Sequence, residues 1–280
     1  MNIIADSTAD LPKDLVEKLG VTIVPLTIHL GDKTWKDYYD IEPDVYYAML
    51  RSSSAFPTTA QPSPQDFIDA YAPYAAKGEP VLSLHITKKL SGTYQSALLA
   101  RSNFPDARIE VIDSLTGSMG LAMIILACAE QANRGAPFEM VVESARAMAG
   151  RVETYFSVDS LEYLRRGGRI GKAQALLGTL MKIKPILKVV DGEVHPYEKI
   201  RTTDKLLDRF VEIIDAAVLS SGPVRVAVVQ SDNGNVMDTL LQRLQAVTGA
   251  SVALRVKSGG VITSHVGPGL LGLAFMSGPF

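Results

Sequence analysis

Between Pro80 and Arg101 the chain changes its hydrophobic period, and no other stretch restricts the architecture as much. Leu82, Leu84 and Ile86 alternate with Ser83 and His85 as in a strand. Thr87 to Lys89 break the pattern, and Tyr94, Ala97, Leu98 and Arg101 then recur at helical spacing. A strand that turns directly into a helix is half of a parallel crossover, and a parallel sheet needs helices on both faces. The same grammar recurs on either side. Asn2 to Ala5 reads as a strand ending in Asp6-Ser7-Thr8, followed by a helix that Pro12 starts and Gly20 closes. Arg108 to Ile112 reads as another strand, followed by Asp113-Ser114 and an apolar helix from Ser118 to Asn133. The alternation predicts an α/β fold whose N-terminal lobe is a three-layer α/β/α unit with a mainly parallel sheet. Ligands of such sheets lie outside the carboxyl ends of the strands, so Asp6-Ser7, Asp113-Ser114 and the Thr87 to Leu90 loop should share one rim. Between these units, Val21 to Leu30 reads as one extended run that Pro25 moves to a sheet edge. A short helix starts near Pro43, Ser52 to Pro62 reads as a loop, and Ser63-Pro64-Gln65-Asp66 opens a further helix as a capping box.

Beyond Gly150 the texture changes. Val152 to Val158 reads as a strand, Asp159 to Arg166 as a short helix, and Gly167-Gly168 as a break before a helix through Leu176 to Met181. Ile183 to Val190 and Glu193 to Ile200 are β-rich runs separated by Asp191-Gly192, the pair that a two-residue hairpin favours. Helices over Thr203 to Leu219 and Val236 to Val247 then alternate with strands over Val224 to Gln230 and Ser251 to Val256. Gly267 to Gly272 lead into a closing strand, Leu273 to Met276. This predicts a C-terminal α+β lobe with a mainly antiparallel sheet. A chain of 280 residues exceeds what one simple core organises. The division expected is therefore 1–150 and 151–280, with the ligand at the junction.

Charge and hydropathy exclude several classes of function. The net charge of −2 leaves no basic footprint, so no nucleic-acid partner is expected. The apolar run Met119 to Ala129 is far shorter than the ~20 residues of a membrane span, and no stable membrane insertion is expected. The N-terminus carries no charged start before an apolar core, so the expected location is cytoplasmic. The single cysteine, Cys128, falls in an apolar helical pattern and reads as a buried, inert thiol.

Enzyme signatures fail on inspection. Gly267-Pro268-Gly269-Leu270-Leu271-Gly272 has the spacing of a dinucleotide loop, but neither a helix nor an acidic residue about 20 positions on can follow it. Arg166 to Ala173 resembles part of a phosphate loop, with Arg166 where the first glycine belongs and Ala173 in place of the magnesium-binding hydroxyl. His29, His85, His195 and His265 are too isolated for a helical metal pair, so no metal is expected. What remains is a set of neutral donors. Ser91-Gly92-Thr93 at a helix start is either a self-capping turn or an anion seat, with Gly92 admitting close backbone approach. Thr59 in a loop and His265 in a glycine-rich segment are further donors able to face a carboxylate. A small-molecule hydrolase or phosphotransferase using Asp6, Ser91 and His265 is the competing reading. Arg165, Arg166 and Arg169 form the densest basic cluster, which by composition alone reads as a solvated face.

Six segments together resemble the DegV family of bacterial fatty-acid-binding proteins. They are Asp6-Ser7-Thr8-Ala9-Asp10-Leu11, Pro57-Thr58-Thr59-Ala60-Gln61-Pro62, Leu90-Ser91-Gly92-Thr93-Tyr94, Asp113-Ser114, Leu164-Arg165-Arg166-Gly167-Gly168-Arg169-Ile170 and His265-Val266-Gly267-Pro268-Gly269. The resemblance implies a carrier, not an enzyme, that needs no cofactor. It would bind one long-chain fatty acid such as palmitate and present the carboxylate to a separate fatty acid kinase for acyl-phosphate formation. The family's carboxylate-binding threonine, serine and histidine fall on Thr59, Ser91 and His265, with Gly92 and Thr93 in the same ligand-binding turn. The resemblance places Arg166 and Arg169 near the headgroup and in docking of the kinase. Ala60 stands where the family pattern usually has serine.

Overall fold

The structure of the protein, a computed structural model, describes residues 1–177 and 183–278. In the first half, β1 (Asn2–Asp6), β2 (Val21–Val24), β3 (Thr27–Leu30), β4 (Lys33–Lys36), β5 (Thr58–Ala60), β6 (Val81–His85) and β7 (Ile109–Asp113) fall into two sheets. One is fully parallel, in the order β2-β1-β6-β7, and the other is a three-stranded antiparallel sheet, β4-β3-β5. In the second half, β8 (Glu153–Ser157), β9 (Lys184–Val190), β10 (Glu193–Ile200), β11 (Val224–Gln230), β12 (Ala250–Lys257) and β13 (Leu271–Ser277) make one sheet. Its order is β10-β9-β8-β13-β11-β12, antiparallel throughout except for the β11–β12 pair. The mixed α/β class follows the alternation in the sequence.

The layers can be read from which face each apolar residue takes. In β1, Ile4 packs with Phe67 and Tyr71 of the helix Pro64–Ala75 and with Ala97 of the helix Thr93–Arg101. Its neighbours Ile3 and Ala5 turn to the opposite face, toward the helix Met119–Asn133. That helix is buried from Met119 to Ala129 without interruption, because the second sheet covers its other side through Phe156, Ala227, Val229 and Ala274. The far face of the second sheet, with Val226, Val228 and Leu273, is covered by the helices Thr203–Ser221 and Gly234–Leu244. Helices, parallel sheet, shared helix, second sheet and helices therefore stack in sequence. An apolar run too short for a membrane belongs in such a middle layer, where no face meets water. Among the described residues no helix is long and apolar enough to cross a membrane.

The hairpin forms as its turn pair dictates, with Asp191 and Gly192 both at positive φ (50° and 80°) between β9 and β10. Other expectations need correction. Val21 to Leu30 is not one strand, because Pro25 separates β2, at the edge of the parallel sheet, from β3, which starts the three-stranded sheet. Ser52 to Pro62 is not all loop, since β5 pairs with β3. A 3₁₀ helix occupies Gly171–Leu176 and ends at Leu177, which is extended, and positions 178–181 of the helix expected there lie outside the described residues. The glycine-rich segment before His265 contains a seven-residue helix, Gly260–Val266.

The hairpin tip also fixes the loop after β6. A Cβ added at Gly192 would stand 2.1 Å from Thr87 Oγ1, so the tip packs on the turn that leads to Ser91. Gly20, at φ 66°, has nothing within 4 Å of the same position. Gly20→Ala should carry only the backbone cost, whereas Gly192→Ala adds displacement of the Thr87 turn and should lower unfolding free energy by well over about 1 kcal/mol. Urea unfolding of the two variants checks this, and equal losses would show that the tip does not bear on the loop.

Candidate functional site

The carboxyl ends of β1, β6 and β7 form one rim, as the parallel topology requires. At the end of β1, Asp6 accepts from the backbone N–H groups of Thr8 (3.1 Å) and Ile86 (3.0 Å) and from the Thr8 hydroxyl, which ties the first loop to the end of β6. His85 Nδ1 lies 3.1 Å from the same carboxylate, His85 Nε2 lies 2.6 Å from Ser83 Oγ, and Ser83 Oγ lies 2.8 Å from Tyr71 Oη. Serine, histidine and aspartate in a row have the order of a hydrolytic triad. All three are fully buried, and none lines the cavity described next, so this chain of bonds braces the rim. The competing enzyme reading assigns Asp6 to chemistry, but Asp6 is committed to this brace.

Beside the rim is a cavity of about 340 Å³, within the ~300–1,000 Å³ range of small-molecule sites. It lies at the start of the helix Met119–Asn133, and residues of the six-stranded and three-stranded sheets line it together with the loops that follow β1, β6 and β7. Ile86, Met119, Phe156, Val189, Val229 and Leu270 supply apolar wall. Its polar residues include Thr59, Gln61, Ser91, Arg169 and His265, of which Thr59 and His265 are direct partners.

Thr59 sits in the middle of β5, opposite Ile28 of β3, and its Oγ1 is 2.8 Å from Nε2 of His265 in the last turn of the helix Gly260–Val266. The His265 Nδ1 is buried without a partner among the described residues. A Cβ on Gly167 would stand 2.4 Å from that nitrogen, so only glycine there admits the ring. Burial, and to a lesser degree the positive charge of Arg169, push the His265 pKa down to about 4. At neutral pH the ring is therefore an uncharged donor or acceptor.

Ser91 lines the cavity but does not cap the helix directly. The helix begins at Thr93, with Gly92 at the N-cap position, and Ser91 Oγ accepts from Thr93 N–H (3.3 Å) and meets Thr93 Oγ1 at 2.8 Å. The difference arises because Leu90 and Ser91 donate their N–H groups back to Thr87 and so form a tight turn of their own. Thr93 is fully buried, and Gly92 lies under the Gln61 amide, whose Oε1 would be 2.1 Å from a Cβ there. Gln61 in turn donates to Ser96 Oγ at 3.1 Å. Thr59, Ser91 and His265 thus reach the cavity wall, whereas Gly92 and Thr93 stand behind it.

The two arginines separate. Arg169 is on the cavity wall, with Nε donating to the Leu90 carbonyl (2.9 Å) and Nη1 to the Gly167 carbonyl (2.6 Å). These two bonds hold a guanidinium in a partly buried position beside the neutral donors. Arg166 is off the wall, donating from Nε to Glu162 (2.7 Å) and stacked over Phe56 at 4.9 Å, while Phe56 stacks on Tyr163. Arg165 and Arg166 hold the Glu162 carboxyl down to about 2. Gln61 belongs to the segment Pro57 to Pro62, and its packing over Gly92 is a contact that only the fold reveals. Among the described residues no group of three acidic, histidine or cysteine side chains is placed to hold a metal.

A family model described as an uncharacterised protein of the DegV family matches residues 1–278. The chain is 38% identical over 278 residues to a DegV domain-containing protein of Streptomyces coelicolor, covering 98% of each. It superposes on a fatty-acid-binding DegV family protein from Thermus thermophilus with a TM-score of 0.93 and 37% identity, covering 99% of each chain. DegV of Bacillus subtilis, a fatty acid binding protein, superposes with a TM-score of 0.89 and 28% identity, again over 99% of each.

The depressed pKa of His265 gives a direct test. In the unfolded chain the ring takes up its proton near 6.5, so the unfolded state binds more protons between about 4 and 6.5, and this residue's share of stability is lost as pH falls through that window. NMR titration of the His265 ring in ligand-free protein should give an apparent pKa of about 4. Arg169→Gln should raise it partway, since burial is the larger cause. A titration near the ordinary histidine value would contradict the buried, neutral ring.

Proposed function

The chain belongs to the DegV family, and on that premise we propose that it binds one long-chain fatty acid such as palmitate and presents the carboxylate to a separate kinase. The reading puts the headgroup where the segments 1–150 and 151–280 meet. Thr59, Ser91 and His265 donate to it, and the acyl chain lies along Ile86, Met119, Phe156 and Val229, between the loops at the ends of the parallel strands and the six-stranded sheet. One observation carries the reading: a single cavity joins an apolar wall, built from the six-stranded sheet, the start of the helix Met119–Asn133 and the loop after β6, to a small cluster of polar groups that includes a neutral histidine and a neutral threonine 2.8 Å apart.

A carboxylate removed from water loses several kcal/mol of hydration unless its oxygens find donors. A lysine ammonium in the same place would stand unpaired whenever the ligand left, which is the more costly arrangement. Neutral hydroxyl and imidazole groups avoid that penalty, and Arg169, the cation on the wall among the described residues, is satisfied by carbonyl oxygens in the absence of ligand. In this reading Arg169 adds positive potential beside the headgroup. In this reading the bound fatty acid is the nucleophile: its carboxylate oxygen attacks the γ-phosphorus of ATP held by the kinase, the bond to the β–γ bridging oxygen breaks, and ADP leaves with an acyl phosphate formed. Arg166, exposed on the short helix Glu162–Arg166, is the charge placed to meet that partner.

Protein purified without added lipid should carry an acyl chain, detectable by native mass spectrometry and in an organic extract. Thr59→Val, Ser91→Ala and His265→Ala should each weaken binding of a fluorescent fatty acid by about 1 to 3 kcal/mol, the cost of leaving a buried charged acceptor one partner short. Wild-type affinity in all three variants would remove the headgroup assignment.

Arg166→Ala should leave fatty-acid affinity unchanged yet slow acyl-phosphate formation in a kinase-coupled assay, with a loss that shrinks as ionic strength rises. Equal rates for wild type and variant at every salt concentration would rule out the docking role.

A further inference from the structure

The loops after β1 and β4 bury two carboxylates that headgroup binding does not use. Asp10 is 7% exposed and Asp37 is 2% exposed. Asp10 Oδ1 accepts from the Gly259 backbone N–H at 2.8 Å, its Oδ2 accepts from Ser118 Oγ at 2.5 Å, and Asp37 Oδ1 accepts from the Gly260 N–H at 3.0 Å. Gly259 and Gly260 are the N-cap and first residue of the helix whose last turn carries His265. No side chain of the N-cap residue itself serves those N–H groups; both partners come from far away in the sequence.

The two glycines are fitted to these carboxylates. A Cβ at Gly259 would stand 2.9 Å from Asp10 Oδ1, and one at Gly260 would stand 3.4 Å from Asp37 Oδ1 and 2.3 Å from Ile28 Cδ1. Asp10 holds a left-handed backbone, φ 55°, which non-glycine residues seldom adopt. Burial raises its pKa well above the usual carboxylate value and pushes that of Asp37 up to about 6. The other acidic groups near Asp10, Asp37 and Asp6, act in the same direction. Two unfavourably buried carboxylates on one helix end persist only where the surrounding structure over-determines them. Farther along the helix, Tyr46 Oη meets Ser264 Oγ at 2.5 Å, and Ser264 Oγ donates to the Gly260 carbonyl at 2.7 Å. A seven-residue helix is only about 10 Å long, so a shift at its first N–H groups reaches His265 within two turns.

We propose that Asp10 and Asp37 are positioning residues for the ligand carboxylate, gripping the start of the helix Gly260–Val266 so that His265 Nε2 is held against Thr59 Oγ1 before the ligand arrives. The proposal rests on the headgroup reading for its purpose, but its geometry is independent of any ligand. It gives the Asp6 to Leu11 motif, through Asp10, a task that headgroup contact alone does not. Preorganisation of this kind improves affinity by removing the ordering that the ligand would otherwise have to impose.

The test combines binding with a ring signal. Asp37→Ala, Asp37→Asn and Asp37→Glu are made in wild-type protein, and Asp37→Ala also in the His265→Ala background. Affinity for a fluorescent fatty acid is measured alongside the imidazole ¹⁵N resonances of His265 in ligand-free protein. Asp37→Ala should weaken binding about tenfold in the wild-type background and less than about twofold without His265, because its effect passes through that ring. Asp37→Asn, which keeps an acceptor for Gly260, should restore affinity and ring resonances. Asp37→Glu, longer by one methylene, should displace the resonances and weaken binding, and it carries the test if the alanine variant does not fold. Equal losses in both backgrounds, or unmoved His265 resonances in the alanine and glutamate variants, would overturn the proposal. If wild-type protein binds no fatty acid, the headgroup reading fails by itself and the ring resonances alone decide the positioning role.

Discussion

The helix Met119–Asn133 is the element on which the rest of the structure depends. A helix apolar on every side has no stable place at a surface, and here both of its sides are covered, one by the parallel sheet and the other by the six-stranded sheet. One continuous core therefore joins the first half of the chain to the second. The start of that helix is tied down as firmly as its flanks. Ser118 sits at positive φ, donates its N–H to the Thr8 carbonyl and its hydroxyl to Asp10, and lines the cavity with Gly117 and Met119. The apolar cavity and the polar rim are thus adjacent because one helix begins where the parallel strands end.

Electrostatics at that rim follow from burial. The brace of Asp6, His85 and Ser83 satisfies its polar atoms within the buried rim. His265, by contrast, keeps one buried ring nitrogen without a partner among the described residues, and its low pKa keeps the ring neutral across the physiological range. A neutral imidazole beside a hydroxyl, with a carbonyl-bound guanidinium nearby, suits an anionic headgroup that comes and goes. The charge in this set, the Arg169 guanidinium, is held by carbonyl oxygens whether or not a ligand is present.

Much of this architecture is legible in the residues, and the parts that are not have a common physical cause. The period change from Pro80 to Arg101, the βα alternation before it and the Asp191-Gly192 turn are local signals, and each marks the element that forms. The strands Lys33–Lys36 and Thr58–Ala60 are too short to alternate, and their pairing with Thr27–Leu30 sets them. The helix Gly260–Val266 starts with glycine and continues through β-branched residues, and its first N–H groups are held by Asp10 and Asp37, so nothing nearby in sequence announces it. The candidate site shows the same division. Thr59, Ser91 and His265 are recognisable only through resemblance to a family, since no spacing in the chain links residues 59 and 265. The structure brings those two within 2.8 Å and sets Ser91 on the same wall. Gln61, Asp10 and Asp37 act across the fold, on Gly92, Gly259 and Gly260, and become visible only when the glycines and the side chains they admit are seen together.

The most direct test of the account is a crystal structure of the protein purified without added lipid. The account predicts an acyl chain along Ile86, Met119, Phe156 and Val229, with a carboxylate oxygen within about 3 Å of Thr59 Oγ1, Ser91 Oγ and His265 Nε2. An acyl chain bound elsewhere, or one lying in this cavity with its carboxylate turned away from those three side chains, would contradict it.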